Sequence, residues 1–234
     1  MKPIKKYLSE FIGTFALVFI AAGSAVVNHI SGGMLGLLGM AVVTGMIVMA
    51  MVYALGHISG AHINPAVTIS MFVTKRLDLK DTVLYISSQL TGASFAGLLL
   101  WRMFPTAITG MNLGTTSIGA NVGFSTGVLI EIILTFMLVL TIFITAIDSR
   151  APSGIAGFSI GLIIIINILL SGSITGASMN PARSFGPALV SGYWTNQMIY
   201  WIGPFMGGIV AAWMYEGIIA NNNLRNVIHK HKEE

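Results

Sequence analysis

The sequence predicts an all-α membrane protein: six transmembrane helices plus two re-entrant half-helices, arranged as an inverted repeat. Three observations predict it. Only 9% of the 234 residues are charged while 55% are hydrophobic; a soluble domain carries roughly 25% charged residues, so this chain has too few ionic groups to clothe a water-facing surface. Several apolar stretches approach the ~20 residues that a bilayer-spanning helix needs. The tripeptide Asn-Pro-Ala occurs twice, at Asn64-Pro65-Ala66 and Asn180-Pro181-Ala182, each time ending a polar, glycine-rich loop.

In order, the spans read as roughly 7–28, 35–55, 83–104, 124–147, 154–171 and 197–219. The basic segment Met1 to Lys6 runs straight into the first apolar stretch with no small-residue cleavage pattern, so it reads as the start of a span and not as a removed leader. Spans two and three, and spans five and six, are separated by the two Asn-Pro-Ala segments. Asn is a strong helix N-cap, and Pro suits the first helical position because its missing N–H would be unpaired there anyway. Each Asn-Pro therefore opens a short helix, over Ala66 to Val73 and Ala182 to Val190. About ten residues at ~1.5 Å each give ~15 Å, half of a ~30 Å hydrocarbon core. Two such helices entering from opposite faces meet near the midplane, where irregular backbone is tolerated only if protein buries it or water reaches it.

The halves match elsewhere. Glu10-x-x-x-Thr14-Phe15-x-Leu17-Val18 aligns with Glu131-x-x-x-Thr135-Phe136-x-Leu138-Val139 at an offset of 121 residues, against 116 between the Asn-Pro-Ala motifs. Three spans and a half-helix, repeated, invert the second copy because three is odd. This reading makes 1–234 a single membrane channel domain with repeats over roughly 1–110 and 120–234. Positive charge agrees. Lys2, Lys5, Lys6, Lys75, Arg76, Lys80, Arg150, Arg225, Lys230 and Lys232 all fall on one side of this topology. The positive-inside rule then puts both termini in the cytoplasm. The net charge of +4 suits lipid headgroups and implies no nucleic-acid partner. With no cysteine there is no disulfide or thiolate metal site. The 14 methionines read as packing, and no cofactor is implied.

Each motif asparagine can cap its half-helix through its carbonyl oxygen and still present N–H donors to a pore. Behind each stands the positive end of a helix dipole, about half a charge. Two such ends at the midplane repel cations and hold a passing water by its oxygen, so no proton wire runs through. Arg183, one turn past Asn180, is a costly group in a membrane and reads as functional. Gly92, Gly97, Gly203, Gly207 and Gly208 read as close helix contacts, and Asn167 as a bond across helices.

Ser59-Gly60-Ala61-His62-Ile63-Asn64-Pro65-Ala66-Val67-Thr68 and Gly176-Ala177-Ser178-Met179-Asn180-Pro181-Ala182-Arg183-Ser184-Phe185-Gly186-Pro187-Ala188 resemble the two signature loops of the aquaporin (major intrinsic protein) family. The likeness runs over essentially the whole chain. It implies one pore per subunit, a homotetramer in the cell membrane, and water and small neutral solutes as permeants. It also implies a selectivity filter. One wall lies 20 residues before the first Asn, giving Thr44. Others lie 12 and 3 before the second, giving Ile168 and Ala177, and Arg183 completes the set. Strict water channels resemble Phe and His at the first two positions, and glycerol facilitators resemble Trp, Gly and Phe across the three. This chain looks most like the open filters of plant nodulin-like channels for metalloids and small solutes. Glu10 and Glu131 are implied to accept hydrogen bonds from the re-entrant loops, and His62 to pack its loop.

The reading is a passive channel for water and small uncharged solutes, glycerol and neutral metalloid acids among them, that excludes protons and ions. It is not an enzyme, since no nucleophile–base or metal constellation lies in the spans. The alternative is a water-dedicated channel, toward which Ser184, Ala188 and the Tyr200-Trp201 pair point by resemblance. A proton-coupled transporter would need a titratable group at the centre, where this chain offers amides.

Overall fold

The computed structural model describes residues 4–220, and every element among them is helical. Lys2, Arg225, Lys230 and Lys232, four of the charges that orient the chain by sequence, lie outside the described residues. In chain order the helices are α1 (Ile4–Ile30), α2 (Gly36–Ser59), α3 (Pro65–Val73), α4 (Leu79–Met103), α5 (Ala107–Met111), α6 (Phe124–Ile142), α7 (Ala156–Ser171), α8 (Pro181–Ser191) and α9 (Ile199–Met214). A 3-10 turn at Asn112–Gly114 follows α5, and π turns extend α6 over Phe143–Ile147 and α9 over Tyr215–Ile219.

With their π turns included, α1, α2, α4, α6 and α9 are long and apolar enough to cross a bilayer. The fifth expected span, 154–171, is α7 over Ala156–Ser171, and it is the shortest of the six. α7 has only 16 residues, about 24 Å at ~1.5 Å per residue. It stops at Ser171-Gly172, where Ile174 and Thr175 N–H groups turn back onto Ser171 O, each at 2.9 Å. Large apolar side chains such as Met46, Leu129, Leu170 and Trp213 are exposed on the outside of the bundle. In a bilayer they meet lipid and not water.

Inside, packing is set by glycine. α1 pairs with α4, α6 with α9 and α2 with α7. A Cβ on Gly92 of α4 would strike the Phe11 carbonyl of α1, and one on Gly207 of α9 would strike the Ile132 carbonyl of α6. Gly45 and Gly161 face each other across α2 and α7: a Cβ on either would meet the other's carbonyl oxygen, at 2.5 and 2.8 Å. The short helices are clasped the same way, with Gly97 of α4 against Gly186 O at 2.8 Å and Gly208 of α9 against Ser70 Oγ at 2.6 Å. A Cβ on Gly203 would meet Glu131 Cβ at 2.6 Å. Small residues let backbones approach where hydrophobicity cannot drive helices together. Because the Gly207 neighbour is helix backbone, Gly207→Val has nothing flexible to push aside. It is expected to destabilise the protein by about 1–3 kcal/mol, read as a lower thermal midpoint in detergent; an unchanged midpoint would contradict this packing.

The buried core includes Val18, Val67, Leu134, Val139 and Met179, so it gathers around the tips of α3 and α8. Five long helices, the shorter α7 and the two half-helices thus hold the two loops before α3 and α8 in the middle of the molecule.

Candidate functional site: a pore between the half-helices

The two half-helices start as their local sequences dictate. Asn64 is extended, and its Oδ1 accepts from the Ala66 N–H at 2.8 Å, with Pro65 in the first turn. Asn180 Oδ1 accepts from the N–H groups of Ala182 and Arg183 at 3.0 and 3.3 Å, with Pro181 in the first turn. Each amide then reaches across to the other loop. Asn64 Nδ2 donates to Met179 O at 2.8 Å, and Asn180 Nδ2 donates to Ile63 O at 2.9 Å. Each asparagine therefore retains one N–H for the pore, not the two expected from sequence. The other N–H ties the loops together.

That lacing needs unusual backbone. Ala61 and Ile63 have φ of 46° and 44°, and Ala177 and Met179 have 44° and 52°. Such angles are sparsely populated for residues with a Cβ and persist only where the surroundings enforce them. Two fully buried glutamates do so. Glu10 Oε1 accepts from Ser59 Oγ at 2.7 Å and His62 N–H at 3.0 Å, while its Oε2 accepts from Ile63 N–H at 2.6 Å and Gln89 Nε2 at 2.8 Å. Glu131 Oε1 accepts from Thr175 Oγ1 at 2.8 Å and Ser178 N–H at 2.9 Å, and its Oε2 accepts from Met179 N–H at 2.7 Å. His62 completes the first loop with its Nδ1 3.2 Å from Thr68 Oγ1. The Thr68 proton goes to Asn64 O at 3.1 Å, so the imidazole Nδ1 is the donor and its Nε2 is left as an acceptor.

One cavity of about 870 Å³ runs through the bundle. Leu37, Met40 and Gly172 line it at one end, and Tyr53, Asp148 and Gly154 at the end that carries Ile4 and Ala220. Asn64, Asn180, His57 and His62 line it between, and so do Thr44, Ile168, Ala177 and Arg183. Pro65, Ala66, Pro181 and Ala182 are buried behind the wall. Thr44 Oγ1 donates to Met40 O at 2.7 Å, so toward the cavity it offers lone pairs and a methyl group. Asn167 is turned into the protein, donating to Leu134 O and Met179 Sδ, both at 3.0 Å, which leaves Ile168 as the wall on that side. Ser184, Ala188, Tyr200 and Trp201, which pointed toward a water-dedicated channel, are not among the lining residues. Tyr200 donates to Thr175 O at 2.7 Å and so braces the second loop from outside.

Sequence reasoning missed the segment between the halves. Met111, Gly114, Thr115, Thr116 and Ser117 line the cavity, and Gly114 O accepts from Arg183 Nη1 at 2.9 Å. No periodic pattern marks this segment. Its only local signal is the turn-forming Asn112-Leu113-Gly114, with φ of 52°, 53° and 67°. At the other mouth, Tyr53 donates to Gly154 O and accepts from Phe158 N–H, both at 3.0 Å. Nearby, Arg150 Nε donates to Asp148 Oδ1 at 2.7 Å, and this guanidinium holds the Asp148 carboxyl well below the usual carboxylate range. Among the described residues, no group of three or more His, Asp or Glu could hold a metal ion.

Between its mouths the cavity is walled by hydrogen-bonded neutral groups with one fixed cation, Arg183, and the described lining holds no nucleophile–base pair, which suits passage and not chemistry. The family described as major intrinsic protein matches residues 1–215. Aquaporin TIP4-4 of Zea mays is 41% identical over 221 residues, covering 92% of this chain and 86% of that protein. Aquaporin NIP1-1 of Zea mays is 41% identical over 225 residues, covering 96% and 78%. The X-ray structure of the aquaglyceroporin from Plasmodium falciparum aligns with a TM-score of 0.82 at 26% identity, over 92% of this chain and 96% of that one. The chain therefore belongs to the major intrinsic protein family and is a multi-pass membrane channel for water and small neutral solutes.

Proposed function

We propose that the constriction is built from Thr44, Ile168, Ala177 and Arg183, and that it is open enough for glycerol and neutral metalloid acids as well as water. One observation carries this reading: all four residues line one cavity, from three helices and a loop, and none of the four is aromatic. Ile168 offers an apolar wall to the carbon face of a polyol, while Arg183 donates to its hydroxyls. Deeper in, the remaining N–H of Asn64 and of Asn180 holds a water by its oxygen. The positive ends of α3 and α8, about half a charge each, repel hydronium there. Glu10, Glu131 and His62 act by holding the loops and not by carrying protons.

The same reading divides the channel into inverted repeats over roughly 1–110 and 120–234, supported by the paired glycine contacts and the paired glutamates. Both termini face the cytoplasm, because Lys5, Lys6, Lys75, Arg76, Lys80 and Arg150 all lie at one end of the bundle by the order of the helices. Likeness to the family supports a homotetramer in the cell membrane.

Swelling of proteoliposomes in water, glycerol and boric acid gradients tests the solute range. The parent is expected to pass all three. Ile168→His replaces the apolar wall with a polar ring and is expected to cut glycerol flux about tenfold or more while keeping water flux, the scale of one altered pocket contact. Absence of glycerol flux in the parent would leave the water-dedicated channel standing.

A further inference from the structure

Each half-helix carries a hydroxyl four residues past its asparagine, at Thr68 and Ser184. Their surroundings correspond, with one exception. Thr68 Oγ1 meets His62 Nδ1 at 3.2 Å, and Ser184 Oγ meets Ser178 Oγ at 2.6 Å, in the place that His62 holds in the other half. Thr68 has a further partner in Gln89 Nε2 of α4, at 2.9 Å. The register between α4 and α9 is set by Tyr85 and Tyr200, which donate to Ser59 O at 2.9 Å and Thr175 O at 2.7 Å. It is set again by Gly92 and Gly207, the same 115 residues apart. That register puts Pro204 where Gln89 stands, and proline has no side-chain donor.

The vacant role is taken from outside both repeats. Thr116 Oγ1, in the segment joining the halves, lies 2.6 Å from Ser184 Oγ. The proton order follows from one hydrogen per hydroxyl. Ser178 donates to Asn180 O at 2.8 Å, so Ser184 donates to Ser178 and Thr116 donates to Ser184. All three side chains are buried. Two residues before Thr116, Gly114 presents its carbonyl to Arg183 Nη1. Gly114 has φ of +67°, and a Cβ there would meet Ala22 O of α1 at 2.5 Å. The segment is thus fastened to α1, to Ser184 and to Arg183.

We propose that Thr116, acting through Ser184, is a positioning residue for Arg183. The segment between the repeats holds the guanidinium against the wall of the constriction, where Gln89 does the comparable bracing in the first half. The inference rests on the reading of Arg183 as a wall of the constriction. With the Thr116 link broken, the Gly114 carbonyl recedes, and the space open to the guanidinium is the cavity it lines. The path narrows, and a larger solute loses more than water.

The full chain in proteoliposomes, normalised to inserted protein, tests this. Thr116→Val is expected to lower glycerol permeability about fivefold, on the scale of one buried hydrogen bond, with a smaller loss for water, so that the glycerol-to-water ratio falls. Ser184→Ala should lower the same ratio. Thr116→Ser, which restores the hydroxyl, should keep the parent ratio. In an Arg183→Val background, Thr116→Val should add nothing, since residues acting through one another are non-additive. A parent-like ratio in both Thr116→Val and Ser184→Ala, while Arg183→Val alters it, overturns the inference and leaves the constriction reading intact. A ratio indifferent to Arg183→Val as well removes that reading, and the inference with it. Should Thr116→Val fail to insert, a parent-like ratio in Ser184→Ala overturns the proposal, because that substitution breaks the same link.

Discussion

Glu131→Leu is expected to abolish the folded channel. The side chain is fully buried and accepts from three donors: Thr175 Oγ1, Ser178 N–H and Met179 N–H. Leucine fills much of the volume and accepts from none of them. Each buried donor left without a partner costs about 1–3 kcal/mol, so three together cost about 3–9 kcal/mol, against the roughly 5–15 kcal/mol by which a whole domain is stable. The strain at Ala177 and Met179, with φ of 44° and 52°, would then be unopposed. Glu131→Gln should be milder, since one oxygen still accepts while the amide nitrogen faces a donor. Yield of monodisperse protein in detergent and its thermal midpoint measure this. A leucine variant that purifies with a parent-like midpoint would show that the second loop does not depend on Glu131. Glu10→Leu should be at least as damaging, because Gln89 adds a fourth donor on that side.

Arg183→Val is expected to break the exclusion of cations. In the parent the guanidinium lines the cavity with Nη1 anchored on Gly114 O at 2.9 Å. A cation passing within ~4 Å of it meets a repulsion of about 4 kcal/mol at an effective dielectric of ~20, close to a thousandfold in entry. Without it, only the half-helix ends oppose the ion, at about half a charge each. Monovalent cation leak through proteoliposomes should therefore rise by about two orders of magnitude or more on this Coulomb scale. Proton leak should rise less, because the asparagine N–H groups still orient water. Leak at the parent level in well-inserted Arg183→Val would assign cation exclusion elsewhere in the pore.

The contrast between these two residues shows what could be read along the chain. The starts of α3 and α8 are local events. Asn64 caps Ala66 and Asn180 caps Ala182 and Arg183 within three residues, so Asn-Pro alone announces each helix. The long apolar runs of α1, α2, α4, α6 and α9 are equally plain, because lipid tolerates little else on their outer faces. The end of α7 was legible too, since the span expected over 154–171 stops at Ser171 as the helix does, but the reason for it was not. Its apolar run continues to Leu170, and what ends the helix is the turn through Ser171 to Thr175. That turn serves Glu131, 44 residues away from Thr175.

By itself, the sequence determined that the chain crosses a membrane, that its two halves carry matching motifs, and where two short helices begin, since composition and repetition are read directly along the chain and capping acts within a turn. The tertiary structure decided the rest. It took one N–H from each asparagine to lace loops 115 and 117 residues apart. It also brought an unpatterned turn, 69 residues from Arg183, to that guanidinium. Those pairings exist only when buried polar groups run out of neighbours on their own segment and must find partners across the packed bundle.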